Sequence, residues 1–496
     1  MMRLQATALL RALRPVMPRR WRLPTGFDPD GYLRQNPDVA KGGVDPALHF
    51  LRHGRIEGRL PRDLQAAKAE AAIWAGEDAR SVLESLLKCG AVPEALWAGL
   101  ALARLAAVAG DWSSAARLLS PPDAFLDGLG LPDPVLLRAE MVLRLGDLAT
   151  ASTALDIVQA RFGPASGWRL LKSALALAHG DDAGWSASLA ALYDRHGLDV
   201  PRLSPHTTAD RDPVQVPAFD RLSARASAVV NEAERAPLVT VVMPARNAAA
   251  TIDTALASLV AQSWRRLEVL VVENGSDDDT AARVARWSQR DARVRLVAGR
   301  RGAGAYAARN LGLEHAAGEI IALQDADDWS HPDRLARQMQ ALMAGSHLAA
   351  CLSHWVRVTP DLCPSLWRPD VRPVHVNLSS IMLRREVIDR IGPWDQVRAG
   401  ADTEFVARLR HVCGGSGVHL LMPDVPLAFG RIGAASLTQA SETGLTGPGA
   451  AARAAYIAAA AQWHRSAETP RLPEPGMPRA FPVPDLLRID VLEGQE

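Results

Sequence analysis

Three carboxylates crowd the stretch "IIALQDADDW", where Asp325, Asp327 and Asp328 follow directly on the apolar run from Ile320 to Leu323. Like charges that close repel one another, and carboxylates near a phosphate make sense only if a cation stands between them. A hard divalent ion takes few protein oxygens and completes its shell with water or substrate phosphate. Asp325 and Asp327 therefore read as ligands, directly or through water, for Mg2+ or Mn2+ carrying a diphosphate. Helix capping is the competing reading, because acids favour helix N-termini, but a cap uses one carboxylate and not three. A second acidic pair, Asp402 and Glu404 in "GADTEF", follows a Gly-containing turn at the start of an apolar helix. It reads either as capping or as a base that accepts a proton from an attacking hydroxyl.

Such groups need a scaffold that brings distant segments together. From about residue 236 short apolar runs alternate with helical patterns. "LVTVVMPA", "LEVLVVEN", "VRLVAG" and "EIIALQDA" read as strands, with a helix between each pair. That order predicts a mostly parallel sheet covered on both faces, and ligands in such sheets bind beyond the strand C-terminal ends. The segments after the strands are "PARN" (Pro244–Asn247), "ENGSDDDT" (Glu273–Thr280), "GRRGAGAYAARN", which includes Arg309, and "DADDW". A single edge thus gathers acids, glycines and arginine. "DDDT" also suits helix capping. Gly302, Gly304 and Ala307 make a G-x-G-x-x-A match with Asp325 about 20 residues on, which is dinucleotide-binding spacing. An NAD(P)-binding oxidoreductase is therefore the alternative, although three acids would repel an uncompensated pyrophosphate.

Taken in order, "TVVMPARNAAATIDTALASLVAQS", "EVLVVENGSDDDT", "GAYAARNLGLEHAAGEIIALQDADD", "RREVIDRIGPWD" and "ADTEF" resemble the inverting family two glycosyltransferases of GT-A fold, over residues 237–440. The resemblance implies an α/β GT-A domain with a Rossmann-like mixed sheet. It also implies a nucleotide-sugar donor, usually a UDP-sugar, and a glycan or lipid-linked acceptor. On that basis Pro244 and Arg246 line the nucleotide pocket, with Asn247 beside them among the donor-binding residues. Glu273 contacts the base and Arg309 lies near the nucleotide. Asp325 and Asp327 form the D-x-D motif for Mn2+ or Mg2+, Asp402 is the general base, and Arg431 contacts phosphate. This chain departs from the family pattern at Glu273-Asn274, where two aspartates are usual, and residues 345–390 carry no legible acceptor signature. Trp355, Trp367 and Trp394 fit sugar stacking less well than packing. A partner-binding scaffold with an inactive GT-A domain is a further alternative, which intact Asp325, Asp327 and Asp402 argue against.

The rest of the 496 residues must fold as separate domains, since a single core rarely grows this large. Residues 1–25 hold six Arg and no acid in their first 24 positions. They read as a solvated terminus or as a short basic helix making peripheral contact with an anionic membrane. Residues 26–62 resemble a small module found beside bacterial glycosyltransferases, with Tyr32, His49 and His53 as packing groups. Residues 63–200 repeat a Gly-Asp pair at 110, 146 and 180, each after an apolar helix. A period near 34 predicts an all-α TPR-like array, which offers a surface for a protein partner or braces the chain. Residues 201–236 read as a linker, and 441–496 as a helix and Pro-rich tail. Net charge is +1, which gives no support for a nucleic-acid partner. Four cysteines in so long a chain form no disulfide framework and fit a reducing compartment. With no apolar stretch of spanning length, the expected location is cytoplasmic, peripheral at the inner membrane face, in polysaccharide synthesis.

Overall fold

A computed structural model describes residues 22–205, 216–227, 236–369, 372–433, 443–474 and 477–489, together with Leu10 and Met17. The basic stretch expected within 1–25 lies almost entirely outside the described residues. The chain divides into two compact units, one of residues 1–188 with 363–373, the other of 189–362 with 374–496.

The first unit is helical, as its repeats require. Each Gly-Asp pair is a helix-to-helix turn with the same chemistry. Gly110, Gly146 and Gly180 have φ of 76°, 80° and 76°, the left-handed conformation that ends a helix without a Cβ penalty. The next aspartate then caps the following helix. Asp111 accepts from the Ser114 N–H at 3.0 Å, Asp147 from Thr150 at 3.0 Å and Asp181 from Gly184 at 2.7 Å. The pairs so joined are Val92–Val108 with Trp112–Leu118, Asp133–Arg144 with Leu148–Phe162, and Ser166–Ala178 with Asp182–Tyr193. Ahead of them Phe27, Tyr32 and Phe50 form an aromatic cluster with centroids 5.3–5.7 Å apart. The Tyr32 hydroxyl meets His49 Nδ1 at 2.9 Å, so both are packing groups, and His53 is exposed. The segment 363–373 belongs here too. Its Leu366 N–H donates to buried Glu140 at 2.7 Å, and Trp367 stacks on Trp74 at 5.9 Å. None of the four cysteines is in a disulfide.

The second unit is α/β. In chain order its elements are β1 (Val239–Ala245), α1 (Ile252–Val260), β2 (Leu267–Glu273), α2 (Thr280–Arg290), β3 (Val294–Ala298), α3 (Gly304–His315), β4 (Ile320–Leu323), β5 (Trp329–Ser330), α4 (Arg334–Ala344), β6 (Ala350–Leu352), β7 (His354–Val358), β8 (His375–Val376), β9 (Met382–Arg384), α5 (Arg385–Ile391), α6 (Ala401–Cys413), β10 (Val418–Leu420), β11 (Pro426–Arg431) and α7 (Gly447–Ser466). The large sheet has the order β10-β6-β9-β4-β1-β2-β3. β1 to β4 are parallel, as their alternation with helices predicts, but β9 runs antiparallel to both β4 and β6, so the sheet is mixed. A smaller sheet, β8-β7-β11-β5, adjoins it in sequence. β4 is in the large sheet and β5 in the small one, so the loop 324–328 joins the two.

Two segments expected to be loose are packed. Ser227 donates to the buried Asp333 carboxylate through its N–H at 3.0 Å and its hydroxyl at 2.7 Å. His331 Nε2 meets the Asp199 carbonyl at 2.9 Å. In the C-terminal tail Leu472, Phe481, Val483 and Leu487 are buried in the same core as Trp394 and Phe405, whose rings stack at 4.1 Å. Gly392, φ 79°, lets the Leu472 backbone pass where a Cβ would lie 2.3 Å from its carbonyl.

Since each Gly-Asp turn relies on one side-chain cap, Asp147→Ala should lower stability. Urea unfolding of that variant measures the loss. A change indistinguishable from zero would show that the cap contributes nothing.

Candidate functional site

β1 lies between β2 and β4, the point where the strand order reverses and where ligands of open α/β sheets gather. The loops after β1 and β2 are laced together. Asn247, at φ 50°, donates its N–H to Ser276 Oγ at 2.9 Å, and its Oδ1 accepts from the Asp277 N–H at 2.8 Å. Asp278 accepts from the Ala249 N–H at 3.0 Å and from Thr280, so the "DDDT" acids serve this loop framework. Glu273 Oε1 accepts from the Ser276 N–H at 2.5 Å. Pro244 is half-buried in β1, and Arg246 is exposed just beyond it.

Asn274 has a defined task. It is buried, and its amide nitrogen donates to the Arg300 carbonyl while its oxygen accepts from the Gly304 N–H at 3.1 Å. An ionised aspartate could do only the second, so asparagine suits the turn that starts α3. That turn holds Gly302 and Gly304, both with positive φ. However, β3 is the edge strand, and β1 and β2 separate it from β4, about 14 Å at the usual strand spacing. A dinucleotide fingerprint needs its glycines at the switch point and its acid on a neighbouring strand. The glycines and Asp325 fail both conditions, which removes the physical basis of the oxidoreductase alternative.

α3 carries the central contacts. Arg309 is buried and donates from Nη2 to Asp325 Oδ1 at 3.0 Å and to Ser379 Oγ at 3.1 Å. Its Nε and Nη1 are buried without a hydrogen-bond partner. Burial opposes its charge, but Asp325, Tyr306 and Asp402 outweigh burial and hold its pKa up. Tyr306 lies one turn earlier on the same face, with the Arg309 guanidinium 5.3 Å from its ring. Its hydroxyl donates to Asp402 Oδ1 at 3.2 Å. Burial, then the Asp402 charge, push that hydroxyl well above its usual range, so it stays a proton donor. Glu404 differs from Asp402. It is fully buried, paired with Arg408 at 2.9 Å and with His464 Nε2 at 2.9 Å, and so belongs to the core.

Asp327 is half-buried, and burial followed by the Asp325 charge pushes it up to about 6. Asp328 is buried and driven well above the usual carboxylate range by burial, then by Asp327 and Asp325. Its Oδ1 accepts from the Arg431 N–H at 3.3 Å, which makes Asp328 the anchor between the loop and β11. Arg431 itself pairs with Asp220 and lies 4.1 Å from the Phe219 ring centroid. The structure adds a residue absent from the sequence reading. Arg357 on β7 pairs in register with the residue before Arg431, and its charge acts on all three carboxylates. Its one sequence signal was its place in a short alternating strand. Trp394 is core, Trp367 belongs to the helical unit, and half-buried Trp355 packs edge-on to His375 at 5.8 Å.

The acidic loop fits a divalent cation of the Mg2+ type. Two mutually repelling carboxylates, one pushed up toward neutrality, are what such an ion would relieve. No group of three or more His, Cys, Asp or Glu exists among the described residues to hold a metal. A cation here would therefore complete its shell with water and phosphate, the habit of Mg2+.

Residues 240–368 match the model of Glycosyl transferase family 2. A succinoglycan biosynthesis protein, ExoO, of Rhizobium meliloti is 44% identical over 117 residues, 23% of this chain and 33% of that protein. The UDP-Glc:alpha-D-GlcNAc-diphosphoundecaprenol beta-1,3-glucosyltransferase WfgD of Escherichia coli is 34% identical over 106 residues, 21% of this chain and 41% of that one. This chain thus spans well under half the length of either relative. A mannosyltransferase from Pyrobaculum calidifontis, solved with GDP-Man and Mn2+, is 26% identical with a TM-score of 0.32, covering 40% of this chain and 57% of that one.

Because Asp327 binds its proton more tightly folded than unfolded, the metal-free fold loses stability as pH rises from about 4 to 6. Asp327→Asn should therefore melt higher than the parent at pH 7.5 in chelator, with the gap closing at pH 4.5. Thermal melts at the two pH values test this, and equal melting points at pH 7.5 would refute it. The match from 240 to 368 contains every site residue expected from the sequence except Asp402 and Arg431, and over that stretch the chain carries a glycosyl transferase family 2 domain.

Proposed function

We propose that the chain is an inverting glycosyltransferase that moves a sugar from a nucleotide-sugar, a UDP-sugar first among donors, to a hydroxyl of a glycan or lipid-linked acceptor. One observation carries this reading. Tyr306 and Arg309, a turn apart on α3, hold Asp402 and Asp325 respectively, so one helix face serves both carboxylates. The names of the relatives, one for succinoglycan biosynthesis and one for transfer from UDP-Glc to a diphosphoundecaprenol-linked sugar, support a role in polysaccharide assembly.

The residues divide the work. Pro244, Arg246, Asn247 and Glu273 border the nucleotide at the ends of β1 and β2. Asp325 and Asp327 would hold Mn2+ or Mg2+, which supplies positive charge to the departing diphosphate. Arg309 and Arg431 each bury a guanidinium Nε that has no partner, and Arg309 a second nitrogen as well, leaving donors for phosphate oxygens. Asp402, oriented by Tyr306, accepts the proton of the acceptor hydroxyl as that oxygen attacks the anomeric carbon. The bond from that carbon to the phosphate oxygen breaks on the opposite face, and its electron pair leaves with the nucleoside diphosphate. Attack from the far side inverts the configuration. Charged groups on rigid elements make this arrangement effective, because no reorganisation is needed as charge develops.

Among the described residues no helix is long and apolar enough to cross a membrane. We place the reaction at the cytoplasmic face, on an acceptor held at the membrane, with the helical unit as a surface for a protein partner.

Calorimetric titration with UDP, with and without Mn2+, tests the donor assignment. Binding should require Mn2+ and vanish in Asp327→Ala, and metal-independent binding would reject the carboxylates' role. With a competent sugar donor, Asp402→Asn should lower turnover about 100-fold or more while UDP affinity stays unchanged. An unaffected rate would remove Asp402 as the base.

A further inference from the structure

The segment before β1 reaches the candidate site, although its composition reads as a linker. The turn Ala218–Arg221 is fixed by its own contacts. The Phe219 N–H donates to the Pro360 carbonyl at 2.9 Å, and Phe219 is fully buried. Arg221 Nε donates to the Ser204 carbonyl at 2.9 Å. Between them Asp220 accepts from Thr254 Oγ1 on α1 at 2.6 Å and grips both terminal nitrogens of Arg431. The Phe219 ring covers the same guanidinium. Arg431 is therefore held from two sides by residues outside the family-matched region.

Arg431 also acts on the acidic loop. Its own N–H is bonded to Asp328, and its charge acts on Asp327. A guanidinium prefers a bidentate carboxylate. Without a competing acceptor Arg431 would turn onto Asp327 or Asp328 and occupy the oxygens that a cation needs. The stability of a buried ion pair is no reason in itself to keep this one, since desolvation consumes most of the attraction.

We propose that Asp220 is a positioning residue. It holds the Arg431 guanidinium away from Asp327 and Asp328, so the carboxylates stay open to a divalent cation and the arginine stays aimed at a diphosphate. The inference rests on the glycosyltransferase reading and extends its site to the segment before β1.

A double-mutant cycle read by UDP binding in the presence of Mn2+ tests it. Asp220→Asn should weaken binding at least tenfold and more than Arg431→Gln does. In the Arg431→Gln background Asp220→Asn should have no further effect, because the misplaced cation is gone. Asp220→Glu, which keeps the charge, should recover part of the loss, and thermal melts identify any variant that does not fold. An Asp220→Asn variant that binds as the parent does, or losses that simply add, would overturn the proposal. A parent protein that binds no UDP with or without Mn2+ would instead sink the donor reading, and this proposal with it.

Discussion

Asp325, Asp327 and Asp328 lie within electrostatic reach of four arginines, each on a different element: Arg309 on α3, Arg334 on α4, Arg357 on β7 and Arg431 on β11. Much of the second unit can be understood from that requirement. An acidic loop so short cannot neutralise itself, and burying it costs several kcal/mol per uncompensated charge. The loop joins the two sheets; β7 and β11 of the small sheet supply two of these cations and the helices α3 and α4 the other two. Arg334 lies beneath it, donating to Gln324 at 3.1 Å and more weakly to the Leu323 and Ser380 carbonyls, and burial lowers its pKa to about 10. The balance is incomplete, and two of the three carboxylates remain raised. Under the proposed function a cation would supply the missing charge, since full compensation by the protein would leave nothing for a ligand to relieve.

Crowding also explains the division of labour among the acids. Asp328 is an internal anchor, Asp325 is shared with Arg309, and Asp327 is the carboxylate with most to gain from a bound ion. The same separation recurs in "ADTEF". Glu404 is locked into the core by Arg408 and His464, while among the described residues Asp402 accepts hydrogen bonds only from the Tyr306 hydroxyl and its neighbour's N–H. Carboxylates two residues apart in one motif thus have different chemistry because helix geometry turns one inward and the other toward α3.

Much of the second unit was legible in the sequence for a plain reason. Parallel strands buried on both faces must be apolar runs, helices must alternate with them, and ligand groups must then follow the strands. Asp325, Asp327, Arg309 and Asp402 were singled out that way as candidates, together with the resemblance. The Gly-Asp repeat was equally readable, since a left-handed glycine and a capping aspartate are local requirements. Local chemistry leaves a local signature.

Pairings between distant residues leave none. Nothing in "PAFDRL" announces that Asp220 would meet Arg431, 211 residues away, and Arg357 looked like any residue of an alternating strand. The proline-rich tail lacks periodicity because its buried residues fit a core made by other elements, not a face of its own. The Gly-rich match after β3 misled for the same reason, since spacing along the chain cannot tell an edge strand from the strand at the switch point. By itself the sequence determined the elements from β1 to β4, the repeat helices and which strand ends carry charge, because these follow from backbone conformation and apolar periodicity. Only the tertiary structure decided which charges neutralise one another and which remain for a ligand, because that balance depends on distance and burial between elements far apart in the chain.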